Sequence, residues 1–387
     1  MKNNKLSSII LWSVISAAFI GPGTITTAVS AGSRFHLDLV WAVGFATLAC
    51  IIVQESAARI TISSGLSLGQ TFRLKFGDRW GRALQFSIGW IVIGGCAAFE
   101  AGNMVGAVNG LNMITNANST YLVLLVSTVA ALLLWLERPY WIPALMMTLV
   151  ALMGAAFVVL AFRSHYPFSS ILKAMVVPTV PNNSMLLILG LIGTTIVPYN
   201  IFLGSGISSQ QSISLMRTGL IVSVLFGGIV TAFILVAGTL VSEFTSFSQL
   251  MTSFRDETGF AGVFALAAGL FGAGFSSAVT APYAASIIAS SVFGWEKWKG
   301  VLVWALVIIT GAIFGISDFK PVRLIIIVQA LNGIILPILI FLLILIVNDK
   351  KIIPEQNRPG VMYNIVLITA FVAVATLSGY HIYTKVF

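Results

Sequence analysis

Long apolar stretches separated by short polar segments dominate this sequence. A helix needs about 20 apolar residues to cross a bilayer core about 30 Å thick. Eleven stretches meet that requirement, and they cover residues 9–33, 39–62, 84–108, 120–136, 139–162, 185–206, 218–241, 259–293, 300–316, 321–347 and 361–384. The pattern predicts an all-α polytopic membrane protein with about 11 transmembrane helices.

The composition excludes most other classes of protein. Of the 387 residues, 58% are hydrophobic and 9% are charged, whereas soluble domains carry about 25% charged residues. So few charges cannot cover a soluble surface, which excludes a soluble enzyme and a nucleic-acid-binding domain. The sequence contains neither a Walker-type phosphate loop nor a nucleophile–base constellation. We therefore expect no enzymatic activity, no ATP, no nucleic acid and no cofactor; membrane lipid and a small solute or ion are the expected partners.

The basic residues predict the orientation in the membrane. With the N-terminus in the cytoplasm, two thirds of the 21 Lys and Arg residues lie on or near the cytoplasmic side, as the positive-inside rule requires. An odd number of spans places the C-terminus outside. The loops are too short for an independent domain, so we expect residues 1–387 to form a single transporter domain in the plasma (inner) membrane.

Two spans are interrupted near their middle. The first span contains Gly21-Pro22-Gly23, and the sixth contains Val197-Pro198. Proline removes a backbone donor and glycine lets the chain leave helical geometry, so each break frees polar groups that lipid cannot satisfy. Such groups are tolerated where they face protein or a solvated cavity, and there they can coordinate a solute. The alternative interpretation is a plain proline kink in each helix.

The positions of the breaks predict an internal repeat. Five spans separate them, so the two interrupted helices cross the membrane in opposite directions, as an inverted repeat requires. The repeats would cover about 9–162 and 185–347, and 361–384 would be an additional helix. The substrate is then expected between the two breaks.

Five short motifs support this organisation by their order and spacing: Gly21-Pro22-Gly23-Thr24, Gln54-Glu55-Ser56-Ala57-Ala58-Arg59, Val197-Pro198-Tyr199-Asn200, Gly274-Phe275-Ser276-Ser277 and Leu331-Asn332 followed by Leu336-Pro337. Together they resemble the NRAMP family (natural resistance-associated macrophage proteins), which are proton-coupled divalent-metal transporters. The resemblance implies a leucine-transporter-like 5+5 inverted repeat with broken helices 1 and 6. It also implies alternating access, with spans 1, 2, 6 and 7 rocking against spans 3–5 and 8–10.

The metal ligands of that family are replaced here. The family holds its metal with Asp and Asn of helix one, Met of helix six and a carbonyl one turn earlier. The matching positions are Gly21, Thr24, Val197 and Thr194. The thioether is the soft ligand that favours transition metals. Without it and without a carboxylate, we expect no transition-metal site.

The remaining groups at the breaks suggest another solute. The expected substrate-binding residues are Gly21, Gly23, Thr24, Thr194, Val197, Tyr199 and Asn200. Half-helix N-termini beside them present amides with a positive dipole end. This favours secondary active transport of a small polar or anionic solute, such as a carboxylate or bicarbonate. One alternative is a divalent metal cation transporter, of the Mg or Mn type, with changed selectivity. A second is a non-transporting membrane sensor or binding protein.

Two carboxylates stand out within the spans. Glu100 lies midway along span three, where an acid is expensive and indicates function. It matches the family's acidic position on helix three, and Asn103 shares its helix face, so both are candidates for proton coupling. A static, hydrogen-bonded carboxyl is the alternative. Glu55 and Arg59 lie four residues apart and are expected to form a structural pair near the cytoplasmic edge.

Overall fold

Helices make up the chain in the computed structural model, which describes residues 5–115, 117–136, 141–242, 244–317 and 321–386. They are α1 (Lys5–Phe19), α2 (Pro22–Phe35), α3 (Val40–Ser64), α4 (Leu68–Thr115), α5 (Ser119–Leu136), α6 (Trp141–Phe162), α7 (Phe168–Val176), α8 (Met185–Thr195), α9 (Pro198–Ile207), α10 (Ile213–Gly238), α11 (Phe247–Phe293), α12 (Lys297–Ile316), α13 (Pro321–Val347) and α14 (Val361–Val386), with a 3₁₀ turn at Glu355–Asn357. The predicted all-α membrane fold is confirmed.

The helices account for the predicted spans. Within the described residues, nine candidate spans are long and apolar enough to cross a membrane, and α1 with α2 forms a tenth that is bent by 59°. Helices α8 and α9 together count as one of the nine. The predicted fifth span falls on α6, where Val150–Phe162 is a shorter apolar helix and is not among these candidate spans. The first two residues of that predicted span, 139–140, lie outside the described part of the chain.

Two helices begin earlier than the hydropathy pattern predicts. Helix α4 starts at Leu68 and α11 at Phe247, and each changes direction at a glycine with positive φ, Gly77 at 79° and Gly259 at 68°. Only glycine adopts this conformation without strain. The polar turns before the predicted spans 84–108 and 259–293 are therefore helical extensions, which hydropathy alone cannot distinguish from loops.

Glycines bring the broken helices close to their neighbours. A methyl group on Gly106 of α4 would lie 2.1 Å from the Pro22 ring, and one on Gly193 of α8 would lie 2.0 Å from the Gln329 carbonyl oxygen of α13. Such close approach is typical of membrane helix packing. The close contacts at these glycines place both breaks in the centre of the bundle, where α4, α11 and α13 surround them.

Candidate functional site

The first break separates α1 from α2. Gly21 is the N-cap of α2 in an extended conformation, φ −116° and ψ −174°, and no side chain caps the helix. Pro22 occupies the first helical position, where its missing N–H costs nothing. The Thr24 hydroxyl donates a hydrogen bond to the carbonyl of Phe19, the last residue of α1. The break thus frees a carbonyl, as predicted, and a side chain on the other half-helix binds it.

The second break separates α8 from α9. Val197 is the extended N-cap of α9, again without a side-chain cap, and Pro198 takes the first helical position. The Cys50 thiol donates to the freed Thr195 carbonyl at 3.5 Å. The Thr195 hydroxyl instead bonds back to the Leu191 carbonyl at 2.9 Å, which is the ordinary role of threonine in a helix.

The two breaks meet in space. The Thr24 and Thr194 hydroxyl oxygens lie 2.8 Å apart, although 170 residues separate them in sequence. Both side chains are buried. The structure therefore places together two residues that were expected in the site from their positions at separate breaks.

Two further helices face the glycines of the first break. A Cβ on Gly21 would lie 3.2 Å from the Ser277 hydroxyl of α11, and a Cβ on Gly23 would lie 1.9 Å from the Gln329 amide nitrogen of α13. Gly23 is thus the residue that admits the Gln329 side chain. The space at Gly21 is less tight, because a hydroxyl can rotate away.

Many polar atoms around the breaks are buried and bond to no other protein atom. They belong to Tyr199, Asn200, Ser277, Gln329, Asn332, Gln54, Thr26, Thr27 and Ser30. Burying a polar group without a partner costs about 1–3 kcal/mol. A concentration of such groups at one place indicates that water or a solute binds there. Tyr199 and Asn200 are expected site residues, and this environment is consistent with that expectation.

Sequence reasoning missed Gln329. It lies within the strongly apolar α13, three residues before Asn332, so both amides share one helix face. Asn332 belongs to one of the sequence motifs but was not among the predicted site residues. A polar pair at this spacing inside an apolar span was the available signal. Its relation to Gly23 depends on helix packing, which the sequence does not reveal.

Glu100 lies on α4, and its side chain packs beside Gly311 of α12. Its side chain is 0% exposed, and Asn103 donates to one carboxyl oxygen at 3.3 Å. The other oxygen bonds to no protein atom. The adjacent Phe99 makes an edge-to-face contact with Tyr199, with ring centroids 5.5 Å apart. In the part of the chain that the structure describes, hydrogen bonds connect Glu100 to Asn103 and to neither break.

The donor set does not form a conventional transition-metal site. Within the described ranges, no group of three or more His, Cys, Asp or Glu side chains is close enough to hold a metal ion. At the breaks, Gly21 and Val197 supply no ligand atom, while Thr24 and Thr194 supply hydroxyls. The site offers neutral oxygen ligands, which suit hard cations and polar solutes.

Comparison with known proteins identifies similar transporters. A family model described as natural resistance-associated macrophage protein-like matches residues 13–384. The chain is 24% identical over 393 residues to the divalent metal cation transporter MntH of Caldanaerobacter subterraneus subsp. tengcongensis, covering 96% of this chain and 91% of that relative. Both lengths are nearly fully covered, so the similarity concerns the whole transporter.

Solved structures show the same fold. The manganese transporter of Eremococcus coleocola, in complex with an aromatic bis-isothiourea substituted compound, superposes with a TM-score of 0.80 at 18% identity, covering 97% of this chain and 85% of that chain. Mhp1, a nucleobase-cation-symport-1 family transporter in a closed conformation, superposes with a TM-score of 0.66 at 13% identity, covering 96% and 91%. The chain therefore has the fold that these two transporters share.

Proposed function

Because the chain belongs to the natural resistance-associated macrophage protein family, we propose that this secondary transporter carries a divalent cation through a site at its two helix breaks. The family consists of transporters rather than enzymes, as the sequence predicts. The relatives that match are named for divalent metal cations and for manganese. That support favours the cation alternative over the small anionic solute that the sequence first suggested.

The contact between Thr24 and Thr194 is the observation that carries this proposal. A carbonyl only accepts, so Thr24 uses its single proton on Phe19. Thr194 must then donate to Thr24 across their 2.8 Å contact. Both hydroxyl protons are used within the protein, and only oxygen lone pairs remain. A pair of hydroxyls that can only accept favours a cation over an anion.

The missing carboxylate and thioether define the expected selectivity. Gly21 and Val197 leave a site of hydroxyl, amide and carbonyl oxygens. A divalent cation bound there keeps most of its water, because neutral ligands compensate poorly for dehydration. Magnesium retains water more readily than manganese. We therefore expect weaker discrimination against hard cations than a thioether-containing site would give.

A small anion remains the second candidate, and one observation favours it. Neither Gly21 nor Val197 caps its half-helix, so the positive ends of α2 and α9 are uncompensated. The Ser277 hydroxyl faces Gly21 and bonds to no other protein atom. A carboxylate or bicarbonate could accept from these groups.

The remaining proposals concern coupling and movement. Glu100 would carry the coupled proton with Asn103 as its hydrogen-bond partner, since its other carboxyl oxygen bonds to no protein atom. The two inverted repeats and the additional helix would form one transporter domain over 1–387, with α1–α3 and α8–α10 rocking against α4–α6 and α11–α13. The N-terminus would lie on the cytoplasmic side of the plasma membrane and the C-terminus outside.

Flux through proteoliposomes tests the function directly. The purified protein is reconstituted, and uptake of Mn²⁺, Mg²⁺, formate and bicarbonate is measured against empty vesicles. Thr194→Val removes a proposed ligand, so we expect cation uptake to fall about tenfold, equivalent to roughly 1.4 kcal/mol. Thr310→Val is the matched control, since that hydroxyl lies on an exposed face of α12 and bonds only to the Leu306 carbonyl of its own helix.

The outcomes separate the alternatives. Cation uptake that depends on Thr194 and not on Thr310 supports the proposal. Uptake of formate or bicarbonate alone, with the same dependence, favours the second candidate. Binding without flux of either class would point to the non-transporting sensor.

A further inference from the structure

A basic cavity lies far from the breaks, at the end of the bundle where α3 ends and α10 begins. Its volume is about 510 Å³. The described residues that line it include Arg59, Arg217 and Arg358, and none of them carries a carboxylate. The orientation predicted from the charges makes this the cytoplasmic end.

Hydrogen bonds hold the first two arginines in place. Glu55 accepts from the Arg59 guanidinium at 2.5 Å and from Arg217 Nε at 2.9 Å. Arg59 also donates to the Asn357 carbonyl at 2.6 Å and lies over the Tyr363 ring, 5.2 Å from its centroid. The Glu55 carboxylate thus anchors the base of the cavity without neutralising it.

The third arginine comes from the segment that leads to α14. Arg358 Nε donates to the Ile353 carbonyl at 3.3 Å, which fixes the guanidinium at the cavity wall. Three guanidinium groups against the single carboxylate of Glu55 leave an excess of two positive charges. A planar guanidinium matches phosphate oxygens in a bidentate geometry better than an ammonium group does.

The first turn of α10 adds to this positive field. Ile213 and Ser214 line the cavity at the N-terminus of this 26-residue helix, where the dipole favours an anion. The Ser214 hydroxyl lies along the same wall as a further hydrogen-bond donor, whereas the Thr218 hydroxyl donates its proton to the Ser214 carbonyl at 3.1 Å. Charge, helix dipole and donors therefore converge on one concave surface.

An apolar strip continues from the cavity along α10. Ile221 lines the cavity and is 40% exposed, and the helix then exposes Val222, Leu225, Phe226 and Ile229 by 40–57%. These residues face lipid in a membrane-spanning helix. If the phosphate group of a lipid occupied the cavity, its acyl chains would lie along this apolar strip.

We propose that this cavity binds an anionic phosphate group, and the adjoining strip indicates a phospholipid headgroup rather than free phosphate. Basic cavities between membrane helices on the cytoplasmic side recognise such headgroups. The proposal does not depend on which solute the breaks carry, because the two sites share no residue. It assigns Arg217 and Arg358 as the ligands, while Arg59 supports them through Glu55.

Thermal unfolding of the full chain in neutral detergent tests the proposal. Dioleoylphosphatidylglycerol, dioleoylphosphatidylcholine and inorganic phosphate are titrated separately. We expect the anionic phosphatidylglycerol to raise the midpoint temperature of thermal unfolding. The zwitterionic phosphatidylcholine should leave this midpoint unchanged. Arg358→Gln and Arg217→Gln should each weaken the apparent affinity about tenfold, as the loss of a charge-assisted hydrogen bond predicts. Arg79→Gln is the matched control: it removes the same charge at the same end, outside the cavity lining.

The variants decide the outcome. An equal response to inorganic phosphate that also requires Arg358 keeps the site and identifies free phosphate as its ligand. Stabilisation that persists unchanged in both arginine variants overturns the proposal, as does the absence of stabilisation by either phosphate source. Arg358→Lys retains the charge and should recover part of the affinity; it replaces the glutamine variant if that one does not fold.

Discussion

Among the residues that the structure describes, two glutamates are buried within helices, and their surroundings differ. Glu55 is 4% exposed and receives hydrogen bonds from Arg59 and Arg217, as well as from the Tyr363 hydroxyl. Glu100 is 0% exposed and receives one bond, from an amide. A carboxylate with three hydrogen-bond donors, two of them guanidinium groups, links helices to one another. Glu100, with one unbonded carboxyl oxygen and no basic partner among the described residues, is the proposed proton carrier.

The largest expected effect follows from removing the partnered carboxylate. Glu55→Gln leaves the buried Arg59 without its counter-charge and removes the ion pair that links α3 to Arg217 of α10. Breaking a buried ion pair from one side costs about 3–5 kcal/mol, so we expect a strong fall in the thermal unfolding midpoint. Glu100→Gln is the natural control and should shift the midpoint little. Equal destabilisation by both substitutions would contradict the distinction between the two glutamates.

The second prediction concerns transport by the Glu100→Gln variant. Glutamine matches the carboxyl in shape and hydrogen bonding but cannot bind and release a proton. Uptake driven by an inward proton gradient should therefore fall to the rate measured without a gradient, while binding of the solute persists. Flux assays in vesicles with and without a pH difference measure this directly. Coupling that survives the substitution would assign Glu100 the static role.

A third carboxylate placed at the first break would sharpen the comparison. Gly21→Asp combined with Val197→Met supplies the carboxylate and thioether that the site lacks. A Cβ at Gly21 would lie 3.2 Å from the Ser277 hydroxyl, which has to rotate away to make room for the carboxylate. We expect the ratio of Mn²⁺ to Mg²⁺ uptake to rise about tenfold, because a soft ligand favours manganese. The single variant Val197→Leu controls for side-chain size, and a similar rise there would contradict the ligand explanation.

The smallest effect is expected for a carboxylate paired at the surface. Asp349 follows α13, and its pKa is lowered mainly by a hydrogen bond from Lys75. A lowered pKa stabilises the folded state at pH above the ordinary aspartate value, and that stability is lost as the pH falls through the lowered pKa. Asp349→Asn should remove this acid dependence, with a loss near neutral pH of about 1 kcal/mol or less. Unfolding midpoints measured between pH 7 and pH 3 compare it with the parent protein.

The sequence predicted features that arise from local chemistry. Proline and glycine placed the first break within residues 20–24, and the structure ends α1 at Phe19 and begins α2 at Pro22. The four-residue spacing of Glu55 and Arg59 likewise predicted their ion pair. Neither result needed knowledge of tertiary packing. The inverted repeat that joins the two halves stays a prediction.

Contacts between residues that are far apart in the sequence could not be predicted from it. Arg217 and Tyr363 bind Glu55 across 162 and 308 residues, and no periodicity within one helix indicates such contacts. Gln329 at the first break is a similar case. The solute was hardest to infer, because the hydrogen-bond direction that favours a cation requires the geometry of Phe19, Thr24 and Thr194 together.

The glycine seam between α8 and α13 has a mechanical consequence. Gly193 lies against the main chain at Gln329, and Gly333 lies in turn against the main chain at Leu189. In the proposed rocking, this seam joins a moving helix to a stationary one. Because main chain packs against main chain here, no side chains interdigitate across the seam. The two helices can therefore slide relative to each other without side chains having to change rotamer. A methyl group added at Gly193 would lie 2.0 Å from the Gln329 carbonyl oxygen, so it would push the two helices apart and remove this close contact.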